Sequence, residues 1–421
     1  MKSGELSSTD KGNHFHRYLQ YAFGILSKYN GREPFHLYLK KYFSENKKHG
    51  SRDRKQITAL CYNYFRLGFA VSSSVDIEEK LLLAIFLIEK NPSKILEKFK
   101  PDWNKKIHLH ISEKLKEVKN IFNPEKIFPF SNELSDEINF HLFSLSFLIQ
   151  PKLFIRIRPG YENSILDKLK SSNISFEKIS DSCLSFSNTE KVNDIINIDK
   201  EAVIQDYNSQ RVGDFLKSDI LNRTCLCGRQ ASGISIWDCC AASGGKSILA
   251  YDLLKNIDIT VSDTRKNILE NLKKRFAKAG IKNYHSFITD LSVPTSPEEI
   301  KVRQSFDLII ADVPCSGSGT WSRTPEQLNY FSEKNIETYS ILQKKIVSNV
   351  VKYINEGGYL LYITCSVFKK ENEEIIDYIE KHLNLVLIKS EYLKGYEMQA
   401  DTLFTALFKV SSSSAKENKK S

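Results

Sequence analysis

The fold is decided by the stretch Ile234-Ser235-Ile236-Trp237-Asp238-Cys239-Cys240-Ala241-Ala242-Ser243-Gly244-Gly245-Lys246-Ser247. Its first five residues form a short, mostly apolar run that is typical of a buried parallel strand. A loop of small residues follows, and a helix is predicted to begin near Ser247. Because small side chains let the backbone approach a ligand closely, the stretch predicts a strand, a cofactor-binding turn and a helix.

The Gly-Lys-Ser sequence at residues 245–247 invites a P-loop interpretation, but the spacing excludes it. A P-loop needs a glycine five residues before Gly245, and that position is Cys240. The dinucleotide fingerprint Gly-x-Gly-x-x-Gly is absent as well. The turn therefore suits a cofactor that is bound in another way.

Strands and helices alternate on both sides of this turn, from about residue 202 onward. Such alternation predicts an α/β fold, a Rossmann-like doubly wound sheet that is mostly parallel. Two final apolar segments, Leu385–Lys389 and Thr405–Val410, are expected to add antiparallel edge strands. The predicted strands are 234–237, 257–262, 285–289, 307–311 and 359–363, and the predicted helices are 247–255, 264–278, 332–355 and 370–382.

Two cysteines follow predicted strands. Cys315 lies in the run Asp312-Val313-Pro314-Cys315-Ser316-Gly317, and Cys365 lies in Thr364-Cys365-Ser366. Ligands bind outside the carboxyl ends of the strands in an open α/β sheet, so both thiols are expected at the mouth of one crevice. One such cysteine would more often be an inert small hydrophobic residue. A pair beside a cofactor loop favours covalent chemistry on a bound substrate.

Aspartates also end three of the strands. Asp263 is placed to accept hydrogen bonds from ribose hydroxyls, Asp290 could contact an adenine amino group, and Asp312 precedes Cys315. A single strand-end aspartate is usually a helix cap. Three of them together with a glycine turn predict a nucleoside cofactor, and S-adenosylmethionine is the best candidate.

These groups match the requirements of methyl transfer to C5 of a pyrimidine. C5 is not nucleophilic enough unaided, but a thiolate that adds to C6 makes it enamine-like, and C5 can then attack a sulfonium methyl group. A carboxylic acid near N3 assists, a base removes the C5 proton, and the thiolate leaves. Asp312, Cys315 and Cys365 are suitable groups for these steps.

The motifs resemble, in their order, those of the Nop/Sun family of RNA cytosine-C5 methyltransferases, over roughly residues 200 to 410. The resemblance implies that Cys365 attacks C6, that Cys315 helps to release the product, and that Asp312 contacts the cytosine and the cofactor region. The motifs are Gln205-Asp206, Ser209-Gln210, 238–247, 312–319 and 364–366, with Ser243 in place of the usual proline. The implied S-adenosylmethionine site consists of Cys240, Ala241, Ala242, Ser243, Gly244, Gly245, Lys246, Asp263, Asp290 and Asp312.

The resemblance also divides the chain into domains. Residues 1–148 are predicted to be helical and are similar to the antitermination-factor-like RNA-binding domain that precedes the catalytic part in bacterial small-subunit rRNA methyltransferases. Residues 149–204 are similar to the small α+β, RNA-recognition-like unit of those enzymes. Residues 205–410 would be the catalytic domain, and residues 411–421 a disordered polar tail.

Two basic features suggest contacts with RNA, and each has an alternative. Lysines and arginines between residues 40 and 55 are interleaved with aromatic residues, and they either bind phosphates or form a solvated surface. Arg156 and Arg158 alternate along a predicted strand, where they either touch a phosphate or line an exposed sheet face.

Composition sets the cellular context. Lys plus Arg is 61 against 51 for Asp plus Glu, and the net charge of +10 mildly favours an anionic partner such as RNA.

The N-terminal region has no apolar signal segment, and the longest apolar run, Leu81 to Ile88, is too short to span a bilayer. The cysteines form neither a disulfide framework nor a metal site, since Cys225-Leu226-Cys227 lacks a second ligand pair. We expect a cytoplasmic monomer that binds RNA and no membrane.

Three other functions stay open beside methylation of small-subunit rRNA. The target could be transfer RNA. The helical N-terminal domain argues against this target only because it resembles a domain of rRNA methyltransferases. The chain could be a non-catalytic assembly factor, which the complete set of cysteines and aspartates disfavours. It could also methylate DNA with Cys315 as the nucleophile, but Cys365 would then have no role.

Overall fold

The computed structural model describes residues 8–217, 233–254, 256–294 and 305–411, and these form two compact units. Unit 1 contains the described residues up to Asn132, together with Asn139–Gln150 and Trp321–Ser332. Unit 2 contains Glu133–Ile138, Pro151–Thr320 and the described residues after Glu333. Cys225, Cys227 and the predicted tail beyond residue 411 lie outside the described residues.

Unit 1 is helical. Its helices are α1 (Ser8–Leu26), α2 (Phe35–Glu45), α3 (Ser51–Arg66), α4 (Ile77–Ile88), α5 (Lys94–Phe99), α6 (Pro101–Lys105), α7 (Ile111–Val118), α8 (Phe140–Ser146) and a single turn at Gln327–Tyr330. In α3, the buried residues Ile57, Leu60 and Cys61 share one apolar face. This helix ends before Gly68, whose φ of +52° and contact with the Ile127 carbonyl leave no room for a side chain.

A segment from the second half of the chain, Trp321–Ser332, completes unit 1. Trp321 is 1% exposed and packs against the rings of Phe128 and Phe130. The Tyr330 ring covers Gly31, and its hydroxyl donates a hydrogen bond to the Tyr29 carbonyl (2.9 Å). The aromatic core of the helical unit therefore includes residues that lie far from it in sequence.

Unit 2 is built on a seven-stranded sheet in the order β10-β11-β9-β8-β5-β6-β7. Strands β5 to β9 are parallel, and β10 and β11 form antiparallel pairs at one edge, as the sequence predicts. The strands are β5 (Ile234–Asp238), β6 (Ile257–Asp263), β7 (Tyr284–Ile288), β8 (Phe306–Asp312), β9 (Ile354–Thr364), β10 (Leu385–Leu393) and β11 (Leu403–Val410).

The strand order positions the site. The chain proceeds from β5 outward to β7 and then returns to the other side of β5 as β8. The loops after β5 and β8 therefore diverge at a topological switch point, where open α/β sheets bind ligands. Leu308 and Ile310 pack in one core cluster, and Ile309 and Ala311 are also fully buried. Burial on both faces explains why the sequence of β8 is a continuous apolar run.

Seven helices of unit 2 can be assigned within the described residues. They are α9 (Glu162–Ser171), α10 (Tyr207–Arg211), α11 (Gly213–Leu216), α12 (Gly245–Leu253), α13 (Lys266–Ala279), α14 (Lys334–Val351) and α15 (Glu373–His382). The predicted bounds agree to within a few residues, which is the usual uncertainty at helix ends. In the part of the chain that the structure describes, no helix combines the length and the apolar character needed to cross a bilayer.

A second, four-stranded antiparallel sheet in the order β2-β3-β1-β4 precedes the large one. Ile174 and Phe176, which precede β2, pack onto the apolar cluster that contains residues of α9. The strands are β1 (Leu153–Ile157), β2 (Glu177–Lys178), β3 (Cys183–Phe186) and β4 (Ala202–Ile204).

The structure corrects the interpretation of Arg156 and Arg158. Both are buried, and both bind Asp252 of α12, with closest nitrogen–oxygen distances of 2.7 and 2.8 Å. The Asp252 side chain is itself only 3% exposed. Neither arginine is therefore available to a phosphate, and the pair instead ties the small sheet to α12 through a buried ion cluster.

We expect Asp252→Ala to destabilise the protein by about 3–5 kcal/mol, because it leaves two buried guanidinium groups without a counter-charge. Thermal unfolding of wild type and variant measures the effect. The control is Asp377→Ala, which removes an exposed pair with Lys381 (3.4 Å) and should leave the unfolding midpoint unchanged. Equal midpoints for Asp252→Ala and wild type would contradict the assigned role.

Candidate active site

The loop after β5 is a tight turn, as its small residues predict. Ala242 and Gly244 have φ values of +44° and +82°, in the left-handed region. A side chain at Gly244 would come within 2.8 Å of the Phe276 ring, so glycine is required there. A Cβ at Gly245 would meet no atom within 4 Å. The backbone of residues 240–245 is thus free to approach a ligand at the start of α12.

Asp238, at the end of β5, is hydrogen-bonded to the first turn of α12, the helix that follows this loop. It is 1% exposed and accepts a hydrogen bond from the Ser247 hydroxyl (2.6 Å). Burial raises its pKa to about 7, so near neutral pH it is only partly ionised. Its Oδ1 atom is buried and makes no hydrogen bond with the described residues.

Asp263, at the end of β6, lies directly against the loop. Its Oδ2 accepts a hydrogen bond from the Ala242 backbone (3.0 Å), and both carboxylate oxygens accept from the Arg265 guanidinium. Burial opposes ionisation, but the Arg265 and Ala242 hydrogen bonds outweigh it and lower the pKa of Asp263. The Arg265 side chain is 58% exposed, so it can yield this carboxylate to another donor.

Two further aspartates lie at the same edge of the sheet. Asp312 accepts a hydrogen bond from Lys246 Nζ (3.1 Å), and Lys246 also donates to the Ser209 hydroxyl (2.9 Å). The end of β8 is therefore linked to the cofactor loop. Asp290 follows β7, is exposed and accepts a hydrogen bond from the Ser292 backbone (2.9 Å).

The structure brings the two predicted thiols together. The Sγ atoms of Cys315 and Cys365 lie 3.2 Å apart, and the Cys365 backbone N–H donates to the Cys315 sulfur (3.4 Å). The Cys365 thiol, together with burial, raises the pKa of Cys315 well above the ordinary value. Both residues are only partly buried, so the pair can be reached by a substrate.

Sequence reasoning missed Glu371, a carboxylate beneath the thiols that is 0% exposed. It accepts hydrogen bonds from the residues that follow the two cysteines, Ser316 and Ser366. In the sequence it lies in the charged run Lys369-Lys370-Glu371-Asn372-Glu373-Glu374, which is typical of a solvated helix start. Only its spacing from Thr364-Cys365-Ser366 could have drawn attention to it.

The residues present fit a nucleoside cofactor with a carboxylate-bound ribose. The positive-φ turn gives close backbone access, and Asp263 is ionised and hydrogen-bonded to that turn. Asp312 ends the neighbouring strand, β8, and Cys315 follows it, while Cys365 follows β9, the next strand in the sheet. A cofactor held by Asp263 and the loop 240–246 would thus lie beside the nucleophiles.

Part of unit 2 is similar in sequence to known RNA methyltransferases. Residues 229–408 match the family model described as 16S rRNA methyltransferase RsmB/F. A 28S rRNA (cytosine-C(5))-methyltransferase of Mus musculus is 32% identical over 167 residues, which cover 38% of this chain and 20% of that protein. Ribosomal RNA small subunit methyltransferase B of Photorhabdus laumondii is 28% identical over 193 residues, 45% of this chain and 40% of that protein.

The chain thus spans less than half the length of these relatives. The matches confirm the resemblance to RNA cytosine-C5 methyltransferases over residues 229–408. The solved structure of PH0851 covers 96% of this chain and 100% of its own, with a TM-score of 0.65 and 18% identity. This likeness confirms the predicted fold class, a Rossmann-like α/β sheet that is mostly parallel, preceded by helices and a small α+β unit.

We expect Asp263→Asn to weaken the binding of S-adenosylmethionine about 10- to 100-fold, because the variant has no charged acceptor for the ribose hydroxyls. Isothermal titration of the purified protein with S-adenosylmethionine gives the dissociation constant. Asp258→Asn, at the opposite end of β6, is the matched control and should bind like wild type. Wild-type affinity in Asp263→Asn would exclude the ribose role.

Proposed function

We propose that this chain transfers a methyl group from S-adenosylmethionine to C5 of a cytosine in RNA, with Cys365 as the nucleophile. The observation that carries the proposal is the pair of thiols 3.2 Å apart at the ends of two adjacent strands. Asp312 ends the strand that precedes Cys315 and accepts a hydrogen bond from Lys246 of the cofactor loop. These groups are the ones that cytosine-C5 chemistry requires.

In the proposed reaction the Cys365 thiolate forms a bond to C6, the C5–C6 π bond breaks as its electrons move toward C4 and N3, and C5 becomes the nucleophilic carbon of an enamine. Asp312 stabilises the charge that develops by hydrogen bonding near N3. When bound, S-adenosylmethionine supplies the methyl group that C5 acquires. A base then removes the C5 proton, the C6–sulfur bond breaks, and Cys365 is regenerated.

The pKa of Cys315 supports this division of roles. The nucleophile must be a thiolate, and Cys315 has a pKa raised by its neighbour and by burial. The raised pKa disfavours Cys315 as the thiolate nucleophile. Cys315, with its proton retained, is placed to assist the elimination that releases the product.

We infer that the substrate is RNA, most specifically 16S small-subunit rRNA in the cytoplasm. The description of the matching family model and the name of the Photorhabdus relative support this target. The target cytosine must be single-stranded or flipped out, because C6 is inaccessible inside a stacked helix. Methylation of transfer RNA is the alternative outcome of the test below.

The helical unit offers a surface for the RNA backbone. Basic side chains on α2, on the loop after it and at the start of α3 are exposed. Phosphate contacts by such side chains supply affinity without sequence specificity. They are Lys40, Lys41, Lys47, Lys48, Arg52 and Lys55.

The two thiols are distinguished by incubating wild type, Cys365→Ala and Cys315→Ala with S-adenosylmethionine and 16S rRNA. We expect neither methyl transfer nor a covalent adduct from Cys365→Ala, because no bond to C6 can form. Cys315→Ala should accumulate a protein–RNA adduct, because release is impaired. Tritium incorporation and a denaturing gel measure the two products.

Each alternative has its own result in this experiment. If Cys365→Ala forms a covalent adduct and Cys315→Ala does not, Cys315 is the nucleophile. This result would favour the alternative in which the chain methylates DNA. Methyl transfer to transfer RNA but not to 16S rRNA would identify transfer RNA as the substrate. If wild type binds S-adenosylmethionine but transfers no methyl group to either RNA, the result would favour a non-catalytic assembly factor.

Replacing Lys40, Lys41 and Lys47 together by Gln should weaken RNA binding and make it less dependent on salt. The slope of log K against log salt should become shallower by about 0.7 for each phosphate of single-stranded RNA that the variant no longer neutralises. The matched control is the same charge change at exposed Lys116, Lys119 and Lys126 of the same unit. Equal slopes in both triple variants would exclude this surface as the site of RNA binding.

A further inference from the structure

Glu371 is a buried carboxylate that joins the two loops carrying the thiols. Its Oε2 accepts a hydrogen bond from the Ser316 backbone N–H (2.9 Å), and its Oε1 accepts from the Ser366 hydroxyl (2.7 Å). Ser316 directly follows Cys315, and Ser366 directly follows Cys365. One side chain thus holds the neighbours of both thiols.

A third donor fixes Glu371 itself. Gln343 of α14 is fully buried, and its Nε2 donates to Glu371 Oε2 (2.9 Å) and to the Pro314 carbonyl (3.0 Å). The Tyr362 hydroxyl donates to the Glu371 backbone carbonyl (2.7 Å). The carboxylate is therefore held from β9, from α14 and from both thiol loops, and it has little freedom to move.

The side chain of the next residue, Asn372, contacts different groups from that of Glu371. Its side chain donates to the Ser366 carbonyl (2.9 Å) and accepts from the Thr364 hydroxyl (2.6 Å). Asn372 thereby shapes the turn around Cys365. The hydrogen bonds to the Cys315 loop described above come instead from the neighbouring side chain, Glu371, which spans both loops.

Burying this carboxylate is costly, and its observed partners are neutral. Taking a carboxylate out of water is unfavourable unless hydrogen bonds replace the lost hydration. The three hydrogen bonds described for the Glu371 carboxylate come from an amide N–H, a hydroxyl and a carboxamide. Burial accordingly raises the pKa of Glu371. A neutral glutamine would suit the same pocket with a smaller desolvation penalty.

We propose that Glu371 is a positioning residue that sets the separation and orientation of Cys315 and Cys365. The proposal rests on the function proposed above and deepens it. Displacement of reacting groups by about 1 Å can lower a rate about 100-fold, so a shared anchor beneath two thiols has catalytic value. A negative charge on Glu371 also raises the pKa of Cys315.

Thiol alkylation tests the proposal without RNA. Wild type, Glu371→Gln and Glu371→Ala are treated with iodoacetamide over a range of pH, and labelling of Cys315 and Cys365 is followed by peptide mass spectrometry. In Glu371→Gln the midpoint for Cys315 should move to lower pH, because the neighbouring charge is gone and the hydrogen-bond acceptor remains. In Glu371→Ala both thiols should change their pH profiles, because the loops are released.

The same variants are then assayed for methyl transfer. We expect kcat to fall about 10-fold in Glu371→Gln and about 100-fold in Glu371→Ala, with KM for S-adenosylmethionine unchanged, since the cofactor loop is not touched. Asp307→Asn is the matched control. Asp307 is a carboxylate at the start of β8, where it accepts hydrogen bonds from Ser235.

The outcomes separate this proposal from the proposed function. Alkylation profiles of Glu371→Ala that coincide with those of wild type and Asp307→Asn would overturn the positioning role. If Glu371→Ala does not fold, a kcat of Glu371→Gln equal to that of wild type would overturn it. If wild type transfers no methyl group to RNA but the alkylation profiles shift in Glu371→Ala, the proposed function is refuted and the positioning role stands.

Discussion

The parallel register between β8 and β9 pairs Asp312 with Ile363 and determines where the reactive groups can lie. Both strands end at the same edge, so the loops that begin at Val313 and Thr364 run side by side. The Val313 N–H donates to the Ile363 carbonyl (3.1 Å) and prolongs this pairing beyond the strands. A shift of one residue would turn every buried side chain of β9 to the opposite face, so the core itself fixes the position of the thiols.

The parallel strands, the turn at 240–245 and the two thiols could be predicted because each depends on local sequence. Buried strands are short apolar runs, and a left-handed turn requires small residues. Asp252 and Glu371 could not be predicted in the same way. Asp252 binds arginines more than 90 residues earlier, and the Ser316 partner of Glu371 lies 55 residues before it. In the sequence both carboxylates look like ordinary solvent-exposed helix residues.

Asp252 and Glu371 are two buried carboxylates of unit 2 whose charges are compensated differently. Asp252 is compensated by two guanidinium groups, whereas the described side-chain partners of Glu371 are uncharged donors. The first arrangement connects the small sheet to a helix that begins at the cofactor loop. The second lies between the loops that carry the thiols, where its negative charge raises the pKa of Cys315.

The position of the segment Trp321–Ser332 in the sequence affects when the helical unit can fold during synthesis on the ribosome. It supplies Trp321 and Tyr330 to the core of the helical unit, yet it is translated after β8 of the seven-stranded sheet. Synthesis at about 5–20 residues per second separates it from α8 by many seconds. The helical unit therefore cannot complete its aromatic core before residues 321–332 have been made. Its final folding waits until strands β5 to β8 have left the exit tunnel.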